Sequence, residues 1–392
     1  MHILLFCDFE LPDSCADASR VFNFAKLLDT LGHKVDILGV CYSGKAKNCG
    51  NYLGFEYKMI TASAHRGIFA FKRIRGIEKS LKKHLLKHTG ENKYDLILIS
   101  NVYFDYSRVI LKYKKTEGAI SVVNAVEWFD RNNEIFKGVK GKINLLKNRI
   151  ALKYTHKKMG NILAISSLLD EYYKKRGCNT VIIPTVLDMQ SYEKIADSRA
   201  IRNDTIRIVY AGNPGKKDYI LNAILALELL TEDERARIRF DFYGPNENAI
   251  LTNGFSVARL ESIRNNVVFH GRIPYEEVKG KIADADFTVL LRPNRRYSNA
   301  GFPTKVGESM ACGTPVIANI TSDLGKYIID GKTGIVCENE TKEAFADALR
   351  RVLAMDVEQR LIMRGAALLM ARNSFDYKIY ATAIEEFIKR AI

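Results

Sequence analysis

Short apolar runs alternate along the chain with longer segments whose apolar residues recur every three or four positions. His2–Cys7 reads as a strand. Ser19–Leu31 has helical spacing and ends at Gly32, and Lys34–Val40 is the next strand. Tyr94–Ser100, Ala119–Val126 and Gly160–Ile165 are further buried strands, and Leu168–Arg176 is a helix stopped by Gly177. This alternation predicts a doubly wound parallel sheet. It pauses after Val181-Ile182-Ile183-Pro184, where residues 188–204 are polar and poorly patterned, as in a linker. It then restarts with strand Ile206–Ala211, helix Tyr219–Leu230, and strands Ile238–Tyr243 and Asn266–Phe269. Helix Tyr275–Ala283, strand Phe287–Leu291, helix Thr304–Ala311, strand Thr314–Ala318 and a long helix from about Thr341 complete it. The expected architecture is α/β, two Rossmann-like domains facing a cleft.

Composition supports two soluble domains. The 392 residues exceed one compact core, and hydrophobic residues make up 47% against 27% charged. The mean hydropathy is −0.13. No run reaches the ~18 apolar residues of a membrane span, and no secretory leader is visible at the N-terminus. The seven cysteines form no CxxC pair, so reduced thiols in a cytoplasm are the simpler reading.

Charge divides the molecule. The net charge is +15, and +13 of it falls on residues 1–190. Residues 66–88 hold eight Lys/Arg and one acid, and residues 137–158 hold eight and none, both interleaved with apolar positions. Such stretches suit an anionic membrane surface. A solvated basic face on a core-packed helix reads equally well. Nucleic acid is disfavoured, because no aromatic platform or nucleic-acid motif accompanies the charge. His84 and His88 stand four apart, but a zinc pair would need a third ligand that the neighbouring sequence lacks.

Ligands of doubly wound sheets bind beyond the carboxyl ends of the strands. Two segments there carry candidate chemistry. In Tyr210-Ala211-Gly212-Asn213-Pro214-Gly215-Lys216-Lys217-Asp218 a strand runs into a small-residue turn and two lysines, which suits a phosphate. A tight turn with solvated lysines is the alternative. In residues 300–318, Pro303 suits a first helical turn, which places Thr304 and Lys305 at an electropositive helix end and Glu308 one turn on. Glu308 there can accept hydrogen bonds from a ribose, or merely complement the helix dipole. Asp284-Ala285-Asp286 spells DxD, which reads as a cap or turn rather than a metal site.

These residues carry a resemblance. Gly301-Phe302-Pro303-Thr304-Lys305, Glu308, Ala311-Cys312-Gly313 and Thr314-Pro315-Val316-Ile317 resemble the donor-site signature of retaining glycosyltransferases of family four, which have the GT-B fold. The loop at 210–218, His270-Gly271-Arg272-Ile273-Pro274, Asp330–Gly334, Val126–Asp130 and Ile183-Pro184-Thr185 fit the same pattern. Two departures stand out. The first of the family's two glutamates is replaced by Ala300, and Asn213 stands where an arginine is common.

The resemblance implies a retaining, metal-independent transfer of a hexosyl group from a nucleotide-diphosphate sugar to a glycan or lipid-linked acceptor, as in lipopolysaccharide or other cell-surface polysaccharide synthesis. It implies no cofactor. Gly212, Asn213, Lys216, Lys217, Arg272, Asn299, Gly301, Phe302, Pro303, Thr304, Lys305 and Glu308 would bind the donor, Asn299 standing in for the missing glutamate. Lys217 and Glu308 would serve the reaction, and Glu127 or Asp130 would orient the acceptor, although Glu127 can equally cap a strand end. Domains are expected at 1–187 (acceptor) and 188–372 (donor), with 373–392 returning to the first. The expected location is cytoplasmic, peripheral on the inner face of the cell membrane. A nucleotide-sugar epimerase or hydrolase on the same fold is the alternative enzyme, and a non-catalytic basic membrane- or glycan-binding module the alternative class.

Overall fold

The computed structural model describes residues 1–12, 16–42, 49–61, 70–100, 104–128, 138–196, 205–215, 217–248 and 256–392. The chain forms two compact units, Met1–Val186 with Tyr377–Ile392, and Leu187–Asp376.

The first unit is built on an eight-stranded sheet. Its strands are β1 (His2–Cys7), β2 (Lys34–Cys41), β3 (Cys49–Tyr52), β4 (Phe55–Thr61), β5 (Leu96–Ser100), β6 (Ile120–Ala125), β7 (Asn161–Ala164) and β8 (Asn179–Ile182). Their order is β3-β4-β2-β1-β5-β6-β7-β8, parallel except for the β3–β4 pair. The central strands are buried on both faces, which is why they read as continuous apolar runs. The β3–β4 hairpin is absent from the sequence expectation: Tyr52-Leu53-Gly54-Phe55 lacks a long apolar run, and the turn is made by Leu53 and Gly54, both at positive φ. Phe22 on the helix Ala16–Thr30 packs against Tyr52 and Tyr57 of this hairpin. The closing helix Ala381–Lys389 buries Ile384, Phe387 and Ile388 in the same core.

The second unit holds six parallel strands: β9 (Ile206–Ala211), β10 (Ile238–Tyr243), β11 (Val267–Gly271), β12 (Phe287–Leu290), β13 (Val316–Asn319) and β14 (Gly334–Cys337). Their order is β11-β10-β9-β12-β13-β14. The chain moves outward from β9 through β10 to β11, then returns to the other side of β9 with β12. The order therefore reverses between β9 and β12, the kind of position where such sheets bind ligands.

Two expectations are corrected here. Part of the stretch read as a linker is helical, Gln190–Ala196. Its Tyr192 is buried under the Lys279 ammonium, which also donates to Ser191 Oγ at 3.1 Å. A seven-residue helix with one apolar face is too short for its period to stand out. Pro303 is not in the first helical turn but precedes it, with extended ψ, and the helix starts at Thr304. Asp284 follows the helix end, and buried Asp286 accepts from the Arg207 backbone N–H at 2.9 Å and lies 3.5 Å from Arg360 Nη1.

Among the described residues no helix is long and apolar enough to cross a membrane, and no cysteine is in a disulfide.

Candidate functional site

The site of the second unit is assembled where β9 and β12 end. After β9, Gly212 takes φ +126, a region that L side chains rarely adopt. The Asn213 side chain then accepts from the Gly215 N–H at 3.0 Å and closes a tight turn, and Pro214 O receives the N–H groups of Lys217 and Asp218. This folds Asp218 back under the strand end, where it is buried.

Three groups converge on Asp218. Lys305 Nζ lies 2.5 Å from its Oδ2, and Arg292 Nε 2.7 Å from its Oδ1. The Tyr210 hydroxyl donates to Oδ2 at 2.8 Å and receives Lys305 Nζ at 2.7 Å. Burial alone would raise the Asp218 pKa, but the two cations and the hydrogen bonds hold it below the usual carboxylate range. Burial lowers the Lys305 pKa, and Asp218 opposes the shift. One carboxylate against two cations leaves a net positive charge at the strand ends. Lys305 also crosses directly over Gly212: a Cβ there would meet Lys305 Cε at 2.6 Å.

The helix Thr304–Ala311 is held from below. Ser309 Oγ donates to Thr314 O at 2.7 Å and lies 2.6 Å from Thr288 Oγ1 on β12. Gly313, at φ +67, ends the helix, with its N–H on Met310 O and that of Thr314 on Ser309 O. Val306, Gly307, Met310 and Ala311 face the core, which leaves Thr304, Lys305 and Glu308 half-exposed on the other side. Lys305 and Glu308 also line a small cavity whose other walls are largely apolar, among them Val209, Ala211 and Ile282.

The remaining expected residues fall in different places. Lys217 is half-buried beside the Gly212 turn, and Lys216 lies outside the described residues. Gly301 is extended and leads into the helix. Phe302 is buried in an aromatic cluster with Tyr327 and Phe375, at ring distances of 5.4 and 5.8 Å. Asn299, in the short helix Arg296–Ala300, ties two segments together: Oδ1 accepts from the Ser322 N–H at 2.8 Å and Nδ2 donates to Asn294 at 2.7 Å. Ala300 is fully buried. Arg272 is exposed after β11; within that strand the His270 ring stacks on Tyr243 and lies 2.7 Å from Asp241.

In the first unit the order reverses between β1 and β5. Beyond β1, Asp8 receives the hydroxyls of Tyr42 and, at 3.2 Å, Tyr106, while Glu10 accepts from the Tyr42 N–H at 2.7 Å. Glu127 is half-exposed after β6, and Asp130 lies outside the described residues. Arg20 is buried and reaches the backbone carbonyls of Ile183 and Pro184 and the Asn124 side chain. Burial lowers its pKa to about 10.

Sequence reasoning missed Arg292, Asp218 as an ion-pair hub, and Asp8 with its two tyrosines. Arg292 stands two residues after β12, so a systematic look beyond every strand end would have found it. The tyrosines left no local signal, because they come from separate segments.

The two basic stretches differ. On Ala70–Leu85 the residues Ile77, Leu81 and Leu85 are buried, so that helix packs on the core with Lys79, Lys82 and Lys83 outward. On Gly138–Ile150, Leu145 is buried, but Ile143 and Leu146 are exposed beside Lys142 and Arg149.

Residues 191–368 match the family described as Glycosyl transferases group 1. The match lies within the second unit and covers less than half of the chain, and the two parallel-sheet units have the GT-B fold. It is 22% identical over 261 residues to an uncharacterized glycosyltransferase of Methanocaldococcus jannaschii, covering 64% of this chain and 59% of that protein. It is 24% identical over 235 residues to a D-inositol 3-phosphate glycosyltransferase of Corynebacterium aurimucosum, covering 57% and 54%. The chain thus spans little more than half the length of these relatives. Among solved structures, sucrose-phosphate synthase of Thermosynechococcus elongatus superposes with a TM-score of 0.78 at 16% identity, over 99% of this chain and 98% of that one. Anabaena HepE in complex with UDP-glucose gives 0.67 at 14% identity, over 99% of both.

Proposed function

We propose that the protein is a retaining glycosyltransferase that moves a hexosyl group from a nucleotide-diphosphate sugar to a glycan or lipid-linked acceptor in cell-surface glycan synthesis. The observation that carries this reading is the convergence of Lys305, Arg292 and the Gly212 turn at the β9–β12 reversal point. That position offers close backbone approach and net positive charge, which a diphosphate requires. The complex of HepE with UDP-glucose supports a nucleotide-sugar donor by analogy of fold.

In this reading the acceptor hydroxyl attacks the anomeric carbon from the face that the diphosphate leaves. The carbon–oxygen bond to the diphosphate breaks as the new glycosidic bond forms, and a leaving phosphate oxygen takes the hydroxyl proton. The protein's task is to hold this geometry and to stabilise the charge on the diphosphate. Lys217, Lys216, Arg292 and the helix start at Thr304–Lys305 do so, without a metal ion or cofactor. Glu308 accepts the ribose hydroxyls. Glu127 or Asp130 orients the acceptor. The basic, partly apolar face of Gly138–Ile150 rests on an anionic membrane on the cytoplasmic side, near a lipid-linked acceptor.

A thermal-shift panel with UDP, GDP, ADP and their sugar conjugates tests the donor site. A ligand at about 100 times its Kd stabilises by about 2.7 kcal/mol. A shift with one nucleotide that disappears in Glu308→Ala supports the reading. No shift with any of them refutes it. Turnover abolished by EDTA would refute the metal-independent form.

A further inference from the structure

At the opposite, amino-terminal ends of the first unit's strands, four imidazole and carboxylate groups meet. His2 opens β1, Asp36 lies near the start of β2, and His84 and His88 lie at and just beyond the end of the helix Ala70–Leu85. One ligand atom each of His2, Asp36 and His88 lies within 4.8 Å of the other two. The His84–His88 spacing lacked a third ligand in the sequence, and the fold brings two, from strands roughly fifty and eighty residues earlier.

The groups are already oriented. His2 Nε2 lies 3.1 Å from Asp36 Oδ2. The Tyr94 hydroxyl donates to the same oxygen at 2.8 Å, and its oxygen faces His84 Nε2 at 3.0 Å and His88 Nε2 at 3.3 Å. The rings of His2 and His88 pack on the Tyr94 ring, with centroids 4.5 and 4.4 Å away, which keeps both imidazoles at this end of the sheet. Three imidazole Nε2 atoms and one carboxylate oxygen therefore point at one small region, and His2 and Asp36 are only partly exposed. Imidazole with carboxylate is a donor set for zinc and neighbouring divalent transition metals. Zinc bonds of about 2.0–2.1 Å set tetrahedral ligand atoms about 3.4 Å apart, so rotation of the side chains closes the triad. Tyr94 then serves as the outer partner that orients Asp36.

We propose that His2, Asp36 and His88 bind a divalent transition-metal ion of the zinc class, with His84 next to the vacant coordination position. The ion would tie β1, β2 and the basic helix Ala70–Leu85 together at the end of the sheet away from the carboxyl strand ends, a structural rather than a catalytic place.

The test uses the full chain, freed of any purification tag and stripped with chelator. Titration calorimetry with zinc is expected to give one ion per chain with micromolar or tighter affinity and a rise in Tm. Cobalt is expected to give the visible absorption of a low-coordinate site. His88→Ala and Asp36→Asn should each weaken binding at least tenfold, while His33→Ala retains it. Absence of binding to the unaltered chain at 100-micromolar zinc, a concentration about 100 times a micromolar Kd, overturns the proposal whatever the variants do. Equal affinity in the unaltered chain, His88→Ala and Asp36→Asn also overturns it, by placing the metal elsewhere.

Discussion

Lys305 Nζ stands 2.5 Å from Asp218 Oδ2, across a gap of 87 residues, and so ties the start of the helix Thr304–Ala311 to the end of the Gly212 turn. Arg292 completes the pair from the β12 side. The carboxylate is the smaller charge in this trio, and its removal leaves two cations crowded at the strand ends. Asp218→Asn is therefore expected to destabilise the second unit by about 3–5 kcal/mol, the usual cost of breaking a buried pair from one side. Chemical denaturation followed on the second-unit transition checks this. A change below about 1 kcal/mol would show that the trio is not what holds the turn.

The same pair has a pH signature. The folded pKa of Asp218 is lowered relative to 3.8, so the folded state binds its proton later than the unfolded chain does. The contribution of Asp218 is fully present above pH 3.8 and is lost as pH falls through the lower folded value. The stability gap between the parent protein and Asp218→Asn should stay constant from pH 7 to 5 and narrow below about 3.8. A gap that closes already between pH 7 and 5 would assign the effect to another group.

Gly212 is demanded by both its backbone and its neighbour. At φ +126 any side chain is strained, and a Cβ would displace the Lys305 side chain. Lysine can move, so the clash is relieved only by pulling Lys305 away from Asp218. Gly212→Ala is expected to cost about 1–3 kcal/mol from backbone strain and to lower Tm by several degrees. Differential scanning fluorimetry of Gly212→Ala against Gly215→Ala separates the two causes. Gly215, at φ +51, has open space at the Cβ position and should cost less.

These positions show how much was legible. The strands β1, β2, β5 to β7 and β9 to β13, the helices Tyr275–Ala283 and Thr304–Ala311, and the loop after β9 followed from periodicity and turn residues, because buried parallel strands are apolar throughout and glycine marks the turn. The β3–β4 hairpin, the helix Gln190–Ala196 and the four-residue edge strands β8 and β14 did not, since each is short or half-exposed. Within the site, Lys305 was found through its helix-end position. The partners Asp218, Tyr210 and Arg292 were not, because the contacts join residues 8 to 95 positions apart and depend on strand order. The histidines near Tyr94 were seen as a pair but lacked Asp36 and His2 for the same reason.

Phe302 separates packing from donor contact. The residue is 6% exposed and its ring packs on Tyr327 and Phe375. Phe302→Ala should cost about 3–5 kcal/mol as a buried aromatic truncation. At a temperature where the variant is still folded, nucleotide affinity should change less than threefold. A large loss of affinity with little loss of stability would instead make the ring a donor contact.

Lys217 tests the proposed chemistry most directly. It sits half-buried in the turn after Gly212, with its backbone N–H on Pro214 O. In the proposed reading, removing its ammonium takes one charge from the leaving diphosphate, and the Tm of the variant reports separately on the fold. Lys217→Ala is expected to lower turnover at least tenfold, about 1.4 kcal/mol of transition-state stabilisation, with Tm within two or three degrees of the parent. Lys217→Arg, which keeps the charge, should recover part of the rate. Steady-state kinetics with the donor identified by thermal shift distinguishes the cases. A raised KM at unchanged kcat would mean that Lys217 grips the donor equally in the ground and transition states. An unchanged rate would remove it from the reaction and leave Arg292 and the helix start to carry the leaving-group charge.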